Sequence, residues 1–311
     1  MYDTIKLCYS LLDNTVPKDS EVFNNLVNIT ESIDRDSQST WCRGNAKNMV
    51  IRRNNQSITV QGSLPKYWYG NNLQTLQRAD TGLIIEQLSD LISTDLSKAR
   101  LQRVDFSTNI ITEHKPQYYY RFLGHLTRFY RHSDNSSLYY NQECKKLLFY
   151  DKIKEAQKSN MPIPNQYRDK NVLRYEMRLL KQVKKFFKRD VLSKDLADKE
   201  LYYYLLDRWY EYYKGIEKQT NSKINIMSNQ ITSPKDFDKQ LLIGLVQTLG
   251  FNQIDDVIEQ MKARKVFSQK EYYSRLKSKY RKMSKVEIDE EDVISEINMK
   301  VKEVVLTEKS F

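Results

Sequence analysis

A phenol two residues ahead of an ammonium is the arrangement in this chain with the plainest chemical use. Tyr150 and Lys152 stand in LLFYDKIKE, residues 147–155, with Glu155 at its end. A tyrosine oxygen can attack a phosphodiester, but with a pKa near 10 only about one phenol in a thousand is ionised at neutral pH. Neighbouring groups must therefore favour the anion. Two further segments carry such groups: LQRVDFSTN, residues 101–109, and VLRYEMRLL, residues 172–180. Side chains two apart on a strand share a face, which sets Arg103, Asp105, Ser107 and Asn109 against Val104, Phe106 and Thr108. The same alternation sets Arg174, Glu176 and Arg178 against Leu173, Tyr175 and Met177, and Tyr150 and Lys152 against Phe149 and Ile153. An antiparallel sheet with one wet face shows this pattern without any catalysis, so a functional reading requires the three polar faces to converge. If they do, Asp105, Glu176 and Glu155 offer oxygen ligands of the type Mg²⁺ or Mn²⁺ prefers. Arg103, Arg174 and Arg178 then clamp a phosphate, and Lys152 stabilises its developing charge.

The elements that must position these residues follow from periodicity. Strands are expected over residues 4–10, 100–111, 127–131, 138–141, 145–153 and 171–180, and a hairpin over 48–62 turning at Asn54-Asn55-Gln56. Helices are expected over 21–33, through Leu83, Ile84, Leu88 and Leu91, in the tyrosine-rich stretch 115–126, and over 195–218. Residues 62–72, GSLPKYWYGNN, are expected to form a loop punctuated by Pro65 and Gly70. The fold class is thus α+β, a central, mostly antiparallel sheet with flanking helices and then a helical C-terminal region. The expected divisions are 1–190 for the α+β domain, 191–220 for a long basic amphipathic helix, 221–234 for a linker and 235–311 for helices broken at Gly250.

Composition narrows the partners. Of 311 residues 51 are Lys or Arg and 40 Asp or Glu, a net charge of +11, and clustered cations gain free energy by releasing counterions from a polyphosphate. Residues 145–214 and 262–282 each carry a net +8. The second block contains Lys262, Arg264, Lys265, Arg275, Lys277 and Lys279 with Tyr272 and Tyr273 between them, and is read as a DNA-binding arm. Twenty-two tyrosines can stack on unpaired bases, although Leu201, Leu205 and Trp209 repeat at helical spacing and carry neighbouring tyrosines into a core. Cys8, Cys42 and Cys144 have no paired spacing and the three histidines no metal-binding spacing, which argues against a disulfide framework or a zinc site. The N-terminus lacks the features of a secretory signal and no 18-residue apolar run occurs, so a cytoplasmic protein without a membrane partner or small-molecule cofactor is expected.

Five segments in order, MYDTIKL, GSLPKYWYGNNLQTL, ARLQRVDFSTNI, LLFYDKIKEA and NVLRYEMRLL, resemble those of the filamentous-phage gene II/X replication initiators and their phage and plasmid relatives. The resemblance spans roughly residues 1–215. It implies a catalytic domain like that of rolling-circle initiators and relaxases, a nick in one strand of a phage or plasmid origin, a 5′-phosphotyrosyl link and a free 3′-OH primer. The family's Tyr-x-Lys-x-x-Glu pattern falls on Tyr150, Lys152 and Glu155, its Arg-x-Asp strand on Arg103 and Asp105, and its Arg-x-Glu-x-Arg strand on Arg174, Glu176 and Arg178. The implied partners are origin DNA, single- and double-stranded, with a host polymerase and helicase, in the cytoplasm of a bacterial host. Two alternatives stay open on sequence alone: a non-enzymatic DNA-binding repressor with a helix-turn-helix in 240–285, and a relaxase or recombinase using the same tyrosine chemistry.

Overall fold

The computed structural model describes residues 1–12, 19–33, 40–134, 136–218, 232–249, 251–284 and 293–310. In chain order the elements are β1 (Tyr2–Ser10), α1 (Asp19–Phe23), β2 (Val27–Ile33), β3 (Thr40–Ala46), β4 (Met49–Arg53), β5 (Ser57–Ser63), α2 (Leu64–Tyr69), α3 (Arg78–Leu91), β6 (Arg100–Thr112) and α4 (Pro116–Tyr119). Then follow β7 (Tyr130–Ser133), β8 (Ser137–Asn141), β9 (Lys145–Asp151), α5 (Lys152–Lys158), β10 (Asn171–Leu179), α6 (Val183–Phe187), α7 (Lys199–Gly215), α8 (Pro234–Leu249), α9 (Phe251–Ala263), α10 (Lys270–Met283) and α11 (Val293–Ser310). The strands form one antiparallel sheet in the order β2-β3-β4-β5-β1-β6-β10-β9-β8-β7, the α+β architecture expected. The three strands singled out for their charged faces lie side by side, β6 against β10 and β10 against β9.

One face of the sheet is packed. Phe149 stacks on Tyr175 at 4.4 Å, Tyr175 meets Trp209 of α7 at 4.6 Å, and Tyr2, Phe106 and Tyr202 form an edge-to-face trio. Leu205, Leu206 and Trp209 of α7 are wholly buried. Each such side chain contributes about 1.5–3 kcal/mol, far more than the tenths expected of an exposed surface pair, so α7 serves as the roof of this core. Ile297, Val301 and Val305 of α11 are buried too, Asn298 accepts from the Tyr213 hydroxyl at 2.7 Å, and the Tyr202 hydroxyl donates to Glu308.

Contacts divide the chain into two compact units, Met1–Glu217 with Glu296–Phe311, and Lys218–Ser295. Helices α7 and most of α11 therefore belong with the sheet, where the sequence reading sets boundaries at 190 and 234. In the second unit α8, α9 and α10 pack on one another, with the Tyr273 hydroxyl accepting from the Phe267 backbone N–H at 2.7 Å. The expected linker lies almost wholly outside the described residues, as does Gly250 itself. No helix among the described residues is long and apolar enough to cross a membrane.

Several local expectations are corrected. The helix expected over 21–33 is the short α1 followed by strand β2, whose Val27, Ile29 and Ile33 are exposed; β-branched residues favour a strand even at a sheet edge. The neighbouring β3 had no expected counterpart. The loop expected over 62–72 contains α2, with Ser63 as N-cap, Pro65 in its first turn and Gly70 as a left-handed C-cap at φ 77°. Pro and Gly there are the start and stop signals of a helix. Strand β9 ends at Asp151, whose carboxylate caps α5 by accepting from the Lys154 N–H at 3.0 Å, so Lys152 and Ile153 are helical. The stretch 115–126 reduces to α4 and a 3₁₀ turn, and the helix expected from 195 begins at Lys199 after another.

Candidate active site

The polar face of the sheet gathers the charged residues into one network. In register, Arg178 lies opposite Asp105, Glu176 opposite Ser107, and Arg174 opposite both Asn109 and Tyr150. Arg103 grips Asp105 with two bonds, Nε to Oδ1 at 2.9 Å and Nη2 to Oδ2 at 2.6 Å. Arg178 Nε donates to Glu176 Oε1 at 2.8 Å and lies 3.8 Å from Asp105 Oδ2. The Tyr150 hydroxyl donates to Glu176 Oε2 at 3.3 Å. Lys152, wholly buried, donates to Glu155 Oε2 at 2.5 Å and to Asn72 Oδ1 at 2.7 Å.

Arg174 is the hub. Its Nη2 donates to Asp3 Oδ2 and to Ser107 Oγ, each at 2.7 Å, and its Nη1 to the Asn72 carbonyl at 3.0 Å and Asn109 Oδ1 at 3.1 Å. Its Nε, 3.7 Å from Glu176 Oε2, has no hydrogen-bond partner among the described residues. Asp3 also accepts from Ser63 Oγ at 2.5 Å. Sequence reasoning missed Asp3, because alternation from the buried Ile5 and Leu7 assigns it to the packed face. A bulge between Tyr2 and Ile5 inserts a residue and turns Asp3 to the polar side. Asn72 was missed because its place depends on the α2 cap that carries the chain back over the sheet. The Y-D pair at the strand start and the cap residues Ser63 and Gly70 were the available signals.

Burial sets the electrostatics. It pushes the Tyr150 hydroxyl well above its usual value, with Arg174 pulling down and Glu176 pushing up, so the phenol is held protonated. Burial and then the Arg174 charge lower Lys152 to about 8, against the upward pull of Glu155. Burial raises Asp105 to about 7, opposed by the Arg103 hydrogen bond and reinforced by the Glu176 charge. Asp3 feels the same upward push of burial, yet the Arg174 charge and the Ser63 bond outweigh it and leave it below the ordinary carboxylate range.

As arranged, the carboxylates do not form a ready site for Mg²⁺ or Mn²⁺. Asp105 is occupied by Arg103, Glu176 by Arg178, and Glu155 by Lys152; an ion held by Asp105 and Glu176 would compete with a guanidinium in place. No group of three or more His, Cys, Asp or Glu among the described residues has the geometry to hold a metal.

The basic arm expected at 262–282 belongs to the other unit, Lys218–Ser295. Its Lys277 pairs with Asp255 at 2.7 Å and Glu259 at 2.5 Å, and Lys262 approaches Glu259 at 3.8 Å. Arg264, Lys265, Arg275 and Lys279 are exposed. Tyr272 is exposed while Tyr273 is buried, so only the former can meet a base.

The family model for the N-terminal part of the phage gene II replication-associated protein matches residues 13–197, more than half of the chain and all of the network except Asp3. The chain belongs to this family, the gene II-type phage replication initiators. No curated protein matches it.

Proposed function

We propose that this initiator nicks one strand of its origin with Tyr150 as nucleophile. The observation that carries the reading is the Tyr150 hydroxyl bonded to Glu176 beside the unshared Nε of Arg174. The phenol oxygen attacks the scissile phosphorus as its proton passes to Glu176, and the bond to the 3′-oxygen breaks. Arg174 and Arg178 offset the charge that builds on the phosphate oxygens, and Lys152 supplies the proton to the departing 3′-oxygen. The products are a 5′-phosphotyrosyl link and a free 3′-OH, which a host polymerase extends after a helicase opens the duplex. The link conserves the cleaved bond for later strand closure, which hydrolysis would forfeit. Every step uses groups of this chain. Exposed cations of the second unit, Arg264, Lys265, Arg275 and Lys279, hold the duplex flank by its phosphates.

The test is nicking of a supercoiled plasmid carrying the element's own intergenic region. Tyr150→Phe keeps the ring and its packing, and is expected to bind that DNA while forming no nick. Nicking at the wild-type rate in the variant assigns the nucleophile elsewhere.

A further inference from the structure

The polar face does not stop at the catalytic network. Registers across β3, β4, β5 and β1 place Arg43 opposite Arg52, Arg52 opposite Thr59, and Thr59 opposite Cys8, while Lys6 lies opposite Gln61 on one side and Arg103 on the other. Trp41, two residues before Arg43, shares this face. The opposite residues, Ile51, Ile58, Val60 and Leu7, are wholly buried, so the sheet is packed on one side here as well. Around the β4–β5 turn Trp41, Arg52, Arg53, Asn54, Ser57 and Thr59 line a cavity of about 410 Å³, within the range of small-ligand pockets. An aromatic ring, guanidiniums and hydroxyls are the groups that hold a nucleotide: the ring stacks on a base and a cation meets its phosphate.

The cations between this cavity and Tyr150 run diagonally. Arg52 stands level with Arg100 through Thr59 and Cys8, Lys6 is level with Arg103, Arg178 with Asp105, and Tyr150 with Asn109 through Arg174. Each step toward Tyr150 across the sheet is thus also a step along β6. Lys6, Arg43 and Arg52 make no ion pair with the described residues. Five strand spacings of about 4.8 Å and nine residues at about 3.3 Å give a path under about 40 Å, at most about a dozen nucleotides at the stacked rise of 3.4 Å. A larger cavity beside α3 is lined by Glu86, Asp90 and Asp95, which repel a phosphate chain.

We infer that the cavity formed by Trp41, Arg52, Ser57 and Thr59 is a nucleotide-binding subsite for single-stranded DNA, one end of a diagonal track over Lys6, Arg103 and Arg178 whose other end is Tyr150. The subsite rests on the proposed nicking reading only for where the strand leads. Its occupation is measurable without cleavage, so the two can fail separately.

The experiment uses the full chain carrying Tyr150→Phe and oligothymidylates of 4 to 16 nucleotides. Stacking at about 1–3 kcal/mol per base predicts that Trp41→Ala weakens binding of the longer oligomers roughly 5- to 150-fold. Arg52→Ala should reduce the single-strand salt slope by about 0.7, one phosphate's worth, while Lys302→Ala, an exposed site on α11, leaves affinity unchanged. Trp41→Phe keeps a stacking ring and should bind nearly as well, yet lose most of the tryptophan fluorescence quenching that the oligomer produces in the parent chain. Affinity within twofold of the parent in both alanine variants overturns the subsite, and so does quenching that persists in Trp41→Phe. A failure of Tyr150→Phe to abolish nicking, with these binding losses intact, would overturn the nucleophile assignment alone.

Discussion

Charge is managed in opposite ways by the sheet network and by helix α10. On the sheet, Asp3, Asp105, Arg174 and Glu176 are almost fully buried, and each is bonded to a partner from another strand or from its own strand face. On α10, Arg275 and Lys279 project into solvent and Lys277 is tied down by α9. Removing an ionised group from water costs several kcal/mol unless a partner compensates, whereas an exposed cation costs almost nothing and acts at a distance set by salt. The buried set can fix one geometry and reacts badly to the loss of any member. The exposed set can only attract, and its members act nearly independently.

The difference is broken most severely at Asp3. Replacing it by Ala leaves Arg174 buried with its strongest anionic partner gone, and a loss of about 3–5 kcal/mol in urea unfolding is expected. Because the Asp3 carboxyl titrates below its usual range in the folded chain, its contribution is complete above about pH 4 and is lost as pH falls through the lower folded value. The gap between wild type and variant should therefore narrow in acid; a constant gap would mean that the loss is one of packing.

Next in size is the effect of pH on nicking. Lys152 holds its proton only up to about pH 8, so a rate that depends on that proton falls as pH rises through this value. Lys152→Arg retains the proton throughout, and the alkaline limb of its rate profile should move upward by at least one pH unit. An unmoved limb gives the proton transfer to another group.

Smaller effects are expected on the metal requirement, as distinct from the rate that Glu176→Gln loses with its proton acceptor. Asp105→Asn and Glu176→Gln free Arg103 and Arg178 from their carboxylates. If Mg²⁺ or Mn²⁺ displaces those guanidiniums in the working enzyme, each variant needs more metal for half-maximal nicking; equal titrations in wild type and both variants would remove these residues from any metal site. Least is expected of α10, where Arg275→Ala and Lys279→Ala should each lower the duplex salt slope by about 0.9 while Lys277→Ala leaves it unchanged. A slope insensitive to all three would leave this helix no part in DNA binding.

The same contrast explains what could be read in the sequence. Alternation on β6 and β10 is unambiguous, because Val104, Phe106, Leu173 and Tyr175 must be buried and their neighbours then face the other way. Period and burial carry that information locally. What determines Asp3 is a bulge, and what determines Asn72 is a helix whose Pro65 and Gly70 punctuate a loop equally well; neither depends on hydrophobic period. Helix and strand are confused over 21–33 because β2 is an edge strand without a buried face to impose alternation. The tyrosines divide in the same way: the buried Tyr175, Tyr202 and Tyr213 follow the stripe of α7 and the core it covers, while alternation on β9 turns Tyr150 to the polar face, opposite Phe149. Its neighbours Arg174 and Glu176 on β10 then set it among charged groups.

Nicking by Tyr150 requires that its own oxygen become joined to DNA, and the most direct measurement is to map that link. Wild-type protein incubated with an oligonucleotide spanning the element's nick site, then digested and analysed by mass spectrometry, should carry a nucleotide 5′-phosphate on the peptide containing Tyr150, and Tyr150→Phe should carry none. A nucleotide on any other tyrosine, with Tyr150 unmodified, would contradict the assignment.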